Sequence, residues 1–120
     1  MKNIFEKNEL FWERLDNIYE SCKMIIDRQR NSCHYKYSNL VYPVDYGYLI
    51  DSSGNEHTPI DIYKGSEHDK GVQAIVISAD ILKKDCEVKL IVGCSDDELN
   101  DIYTFTNQTQ LQKSIILNRS

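Results

Sequence analysis

The sequence has no excess of positive charge, no long apolar run and no paired-cysteine motif. Fourteen Lys and Arg stand against nineteen Asp and Glu, a net charge of −5. No basic stripe is therefore present to neutralise a nucleic-acid backbone, and no nucleic-acid partner is expected. A small phosphate is not excluded, because a cleft can be locally basic on an acidic protein. No apolar stretch approaches the roughly 20 residues that span a bilayer, so no membrane partner is expected. Residues Met1 to Asn8 lack the apolar core of a secretory leader, and the expected location is the cytoplasm. Cys22, Cys33, Cys86 and Cys94 form no C-x-x-C pair, which argues against a zinc knuckle. They read as reduced structural thiols, with Cys86 and Cys94 in apolar strand contexts. There is no internal repeat, low-complexity tract or linker. A chain of 120 residues, 41% hydrophobic and 28% charged, suits a single soluble domain over 1–120.

Apolar periodicity supplies the elements. Phe11, Leu15, Ile18 and Cys22 recur at helical spacing, widened by Trp12 and Tyr19, and predict a helix from Asn8 to about Lys23 with Asn8 as its cap. That helix packs on a core, and its outer aromatics could serve a homo-oligomer interface. Met24-Ile25-Ile26 reads as a short strand running into a polar loop with Arg28, Arg30 and His34. Exposed arginines are the commoner outcome for such a loop, but a guanidinium fork also matches phosphate geometry. His34 is given no role. Val72 to Ala79 is nearly all apolar and predicts a central strand buried on both faces. Cys86 to Val92 reads as a further strand with Glu87 and Lys89 on one face; a surface ion pair is the plainer account of those two. Ser95-Asp96-Asp97-Glu98 is a capping box, predicting a short C-terminal helix to about Tyr103 and accounting for its acidic residues without metal. Ser114 to Leu117 reads as a terminal strand.

Two stretches carry the candidate chemistry. In Tyr42-Pro43-Val44-Asp45-Tyr46-Gly47-Tyr48, Pro43 fixes φ and Gly47 allows either a close backbone approach or a positive φ. The reading places a corner at Pro43 to Gly47 between two strand pieces. A phenol can donate to an anionic oxygen without adding charge, although tyrosines in strands are more often half-buried packing residues. After a turn-rich segment come Glu56-His57-Thr58-Pro59-Ile60-Asp61. Asp61 alternates against Ile60 and Ile62, which points its carboxylate away from their face. Oxygen ligands at such a junction suit a hard cation such as Mg²⁺.

In order, these pieces resemble the signature of the soluble Mg²⁺-dependent inorganic pyrophosphatases: Tyr-Pro-x-Asp-Tyr-Gly-Tyr, a short gap, then an acidic loop ending in Pro-x-Asp. The resemblance runs from about Asp27 to Val92 and is nearest to a short, single-domain branch. That branch has an Ile-Asp-Arg-Pro-Lys-Gly-Ser loop, where this chain has Ile26 to Ser32 with Arg30 at the lysine position. The resemblance implies a mainly β fold, a small OB-like β-barrel with an N-terminal helix and a short C-terminal helix, and a site at the barrel mouth. It implies phosphate contacts from Arg28, Arg30, Tyr46 and Lys89, and Mg²⁺ held by Asp61, Glu56, Asp85 and Glu87. Asp61 and Glu56 would be the catalytic carboxylates, and pyrophosphate the substrate, hydrolysed to two phosphates. The family's loop reads Asp-Gly-Asp-Pro-x-Asp. Here Glu56, His57 and Thr58 replace its first three residues, which leaves Thr58 where a carboxylate would assist the attacking water and implies weak hydrolysis. The alternatives are a phosphate- or nucleotide-binding or interaction module that has lost efficient turnover, and an enzyme acting on another phosphoanhydride such as a nucleotide.

Overall fold

Strand Val72–Asp80 is hydrogen-bonded on both sides, which is what its nearly continuous apolar character predicts. A computed structural model describes residues 8–119, except the side chain of Glu56; the leader expected to be absent from the first residues falls outside that range. The strands are β1 (Met24–Arg28), β2 (Asp45–Leu49), β3 (Ile60–Lys64), β4 (Val72–Asp80), β5 (Asp85–Val92) and β6 (Gln112–Asn118). They form one six-stranded sheet in the order β1-β2-β3-β5-β4-β6. The β3–β5 pair is parallel and the others are antiparallel. Because β6 occupies the outer edge of β4, the sheet runs from β1 to β6 without closing. The barrel-like order is present but the barrel is open.

Alternation along the strands sorts apolar side chains to two faces. Helix α1 (Glu9–Ser21) covers one face through Trp12, packed with Leu49, Ile62, Ile75 and Leu90. Helix α2 (Asp96–Thr106) covers the other through Ile102, packed with Val44, Tyr63, Val76 and Ile91. Asn8 caps α1 by accepting from the Phe11 N–H at 3.1 Å. The buried stripe of α1 centres on Trp12, with Leu15, Tyr19 and Cys22 beside it, while Phe11 and Ile18 face solvent. The apolar arc of this helix, from Leu10 through Phe11 and Leu15 to Trp12, is wider than the face it buries, so periodicity finds the helix but not its exact inner face. In α2 the predicted capping box is formed: Ser95 Oγ accepts from Glu98 N, and Glu98 Oε1 accepts from Ser95 N. The helix runs three residues past Tyr103 because Thr106 is buried, its hydroxyl paired with Ser114 of β6.

Two local expectations are corrected. The corner expected at Pro43 to Gly47 is confined to a bend at Pro43 and Val44: β2 begins at Asp45 and Gly47 sits inside it. The glycine serves close approach, since a Cβ there would collide with the Ile25 carbonyl of β1. All four cysteines are free thiols, but Cys86 is exposed on β5 whereas Cys94 is buried; the outer end of β5 extends beyond the cover of α1.

Candidate active site

Tyr46 and Asp61 come to one face of the sheet by strand register. Tyr46 pairs with Tyr63, and Tyr48 with Asp61, across β2 and β3. Tyr46, Asp61 and Tyr63 therefore share a face, while Ile60 and Ile62 turn to the α1 side as alternation predicts. The Tyr46 hydroxyl donates to Asp61 Oδ2 at 2.7 Å. It accepts from Lys89 Nζ at 3.0 Å, and that ammonium lies 3.8 Å from both Asp61 Oδ2 and Glu87 Oε2. Lys89 and Glu87 reach this point from one face of β5, again as alternation predicts.

Arg28 arrives through a β-bulge. Ile26 pairs with Gly47 and Arg28 with Tyr46, so Asp27 is an extra residue on β1. The bulge turns Arg28 onto the face of its partner Tyr46. Arg28, Tyr46, Asp61, Glu87 and Lys89 line a single cleft of about 390 Å³. An aromatic series forms one wall: His34 stacks on Tyr42 (6.1 Å between centroids) and Tyr42 on Tyr46 (5.2 Å), and Tyr46 is tilted against Tyr63 (4.9 Å).

The electrostatics follow from this packing. Burial, then the neighbouring Tyr63 and Asp61, push the Tyr46 phenol far above its ordinary pKa, so it is a neutral donor. Burial raises the Glu87 carboxyl; Lys89 opposes that rise, and Asp85 and Asp61 reinforce it by like-charge repulsion. Burial lowers the His34 pKa, and Lys83, Arg28, Lys89 and Lys36 lower it further. Four cations thus act on one imidazole inside an acidic protein, a local positive field that net charge conceals.

Not every candidate from the sequence meets here. Arg30 is exposed, and its backbone N–H, not its guanidinium, is anchored, to Asp45 Oδ1 at 2.8 Å. Asp85 lies at the start of β5, opposite Asp80, outside the cleft lining. Glu56 belongs to a 3-10 turn, Asn55–His57, and its side chain lies outside the described residues. Within that turn His57 holds φ at 62°, the left-handed region that favours glycine, so the loop keeps a glycine-like path despite the histidine. The Thr58 hydroxyl donates to the Asn55 carbonyl at 2.6 Å and is not part of the cleft lining. Among the described residues, no three His, Cys, Asp or Glu side chains stand together as a metal cage.

Tyr42 of the tyrosine run also lines the cleft, together with His34, Tyr35 and Lys83, to which the sequence pattern assigns no role. The interleaved aromatic and basic run His34-Tyr35-Lys36-Tyr37 was the available signal. For Lys83 there was none, since its turn is placed by Asp80 Oδ1 accepting from the Leu82 and Lys83 N–H groups.

No family model matches the chain, and no curated protein does. Solved structures do. One, described as an inorganic phosphatase from Anaplasma phagocytophilum, aligns at a TM-score of 0.54 and 11% identity, covering 78% of this chain and 80% of its own. An inorganic pyrophosphatase from Helicobacter pylori aligns at a TM-score of 0.52 and 14% identity, covering 79% and 81%. At such identities the likeness is one of fold. The chain therefore has the fold of the inorganic pyrophosphatases, the OB-like arrangement implied by its tyrosine motif, with the sheet left open.

Proposed function

We propose that this chain binds inorganic pyrophosphate in the Arg28–Tyr46–Lys89 cleft and hydrolyses it slowly to two phosphates with Mg²⁺. The observation that carries the proposal is the hydrogen-bonded series Lys89–Tyr46–Asp61 facing Arg28, two cations and a neutral donor set against a carboxylate. Mg²⁺ at phosphate sites is commonly held by one or two carboxylates plus the phosphate's own oxygens. Asp61 and Glu87, both near Lys89, fit that need without a preformed cage, and Asp85, two residues from Glu87 along β5, adds negative charge from outside the cleft lining. When bound, Mg²⁺ would supply charge neutralisation on the leaving phosphate and a more acidic water.

The chain's own residues do the remaining work. Arg28 offers two parallel N–H donors to one phosphoryl group, while Arg30, outside the cleft lining, adds only its long-range charge. Lys89 exchanges its carboxylate neighbours for phosphate oxygens when the ligand enters. Tyr46 stays protonated, holds Asp61 Oδ2, and leaves Asp61 Oδ1 free to accept a proton from the attacking water. Turnover is slow in this reading because Thr58, where the resembled family carries a carboxylate, uses its hydroxyl within its own turn.

A phosphate-release assay on pyrophosphate, with and without Mg²⁺, tests this. We expect Mg²⁺-dependent release that Lys89→Met and Arg28→Ala both abolish. Binding of pyrophosphate without any release would move the assignment to a phosphate-binding module, and failure to bind would end both.

A further inference from the structure

A bare pyrophosphate has no use for the outer half of the cleft. The stacked wall continues from Tyr46 through Tyr42 and His34 to Tyr35, whose ring lies parallel to His34 within 23° and 4.8 Å away. Tyr35 is 76% exposed, and Tyr37, tilted against the same imidazole at 5.4 Å, is 41% exposed. Large exposed aromatics beside a basic cleft are what a stacking site for a base requires.

The platform is also preorganised. His34 Nδ1 accepts from the backbone N–H groups of Lys36 (3.1 Å) and Tyr37 (3.3 Å), which fixes the imidazole plane. The loop itself is tied down by Asn31 N–H to the Tyr42 carbonyl (2.8 Å), His34 N–H to the Leu40 carbonyl (2.8 Å) and the Cys33–Val41 bridge. Arg28 belongs to both halves: it lines the phosphate end, and its Cζ lies 6.0 Å from the Tyr35 ring centroid. A cleft of about 390 Å³ also falls within the ~300–1,000 Å³ of sites for larger ligands.

We infer that the cleft takes a nucleoside di- or triphosphate, its base stacked on the open face of Tyr35, its ribose-proximal phosphate on Arg28 and its terminal phosphate on Tyr46 and Lys89. This rests on the pyrophosphate-site reading above for the phosphate end and adds the base end. Arg28 sits at the junction, where it meets the phosphate nearest the ribose. His34, stacked between Tyr35 and Tyr42, backs the Tyr35 ring from behind.

Calorimetric titration in Mg²⁺ with pyrophosphate, ADP, ATP and adenosine tests it. Stacking of one base on an aromatic ring corresponds to roughly tenfold to a hundredfold in affinity. ADP or ATP should therefore bind at least tenfold more tightly than pyrophosphate, and adenosine alone should bind weakly. Tyr35→Ala should remove that margin while leaving pyrophosphate affinity unchanged, and Tyr35→Phe should keep it; Arg28→Ala should weaken all phosphate ligands. Equal binding of pyrophosphate and nucleotide, or a margin that survives Tyr35→Ala, overturns this inference and leaves the pyrophosphate site standing. Failure of every phosphate ligand to bind overturns both.

Discussion

Asp61 joins the two halves of the proposed chemistry, because it accepts the Tyr46 hydroxyl and faces the Lys89 ammonium with one carboxylate. Asp61→Asn keeps an oxygen for Tyr46 and removes the charge that draws Mg²⁺. The variant should fold normally, as judged by circular dichroism, while pyrophosphate hydrolysis falls by roughly a hundredfold or more, since both cation affinity and the proton acceptor are lost. Unchanged hydrolysis in a folded variant would remove Asp61 from the catalytic role. The cleft residues that could be read directly from the sequence, Tyr46, Asp61, Glu87 and Lys89, all sit on strands where a period of two decides the face. Arg30 could not be read that way: it lies beyond the end of β1, where no partner strand sets its direction. His34, Tyr35 and Lys83 belong to connections whose course depends on contacts distant in sequence, such as Asn31 with Tyr42 and Ile81 with Leu111.

The elements that build the site depend on one close approach between β1 and β2. Gly47 lies against the Ile25 carbonyl, one residue from the Ile26–Gly47 pair that precedes the bulge delivering Arg28. Gly47→Ala must push β1 outward. We expect a loss of about 1–3 kcal/mol in urea unfolding, the usual range for forced overpacking, together with weaker phosphate binding because Arg28 moves with the strand. Gly54→Ala is the control, since a Cβ there meets its nearest atom at 3.4 Å; it should leave the midpoint nearly unchanged. Equal midpoints for the two variants would refute this account of Gly47. The sequence allowed two readings of this glycine, close approach or positive φ, and only the neighbouring strand distinguishes them. The bulge at Asp27 was illegible for the same reason: an extra residue is defined against a partner, and the partner lies almost twenty positions away. Helix existence was easier to read, because the Asn8 cap and the Ser95–Glu98 box are local chemistry.

At the scale of the molecule, the two faces of the sheet have different duties. The α1 face carries a continuous apolar cluster around Trp12, while the α2 face gives up part of its area to tyrosine hydroxyls, carboxylates and Lys89. The second face is where stability is sacrificed to a site, and it is where ligand should return it. In the free protein the Glu87 carboxyl is raised by burial, with Lys89 opposing and Asp85 and Asp61 adding to the rise. A folded-state pKa above the unfolded value means that ionised Glu87 opposes folding, so its stabilising contribution is full below the unfolded carboxylate range and lost as pH rises through the folded value. Cation and pyrophosphate together should relieve that penalty at neutral pH. A ligand that binds only the folded state at a hundred times its dissociation constant stabilises by about 2.7 kcal/mol, or roughly 10 °C in Tm for a chain of this size. Differential scanning fluorimetry should show a rise of that order with Mg²⁺ and pyrophosphate together, a much smaller one with either alone, and a shrinking rise as pH falls into the carboxylate range and Glu87 becomes protonated. Glu87→Gln should flatten that pH dependence. A Tm indifferent to Mg²⁺ and pyrophosphate at every pH would mean that Asp61 and Glu87 hold no cation beside the ligand.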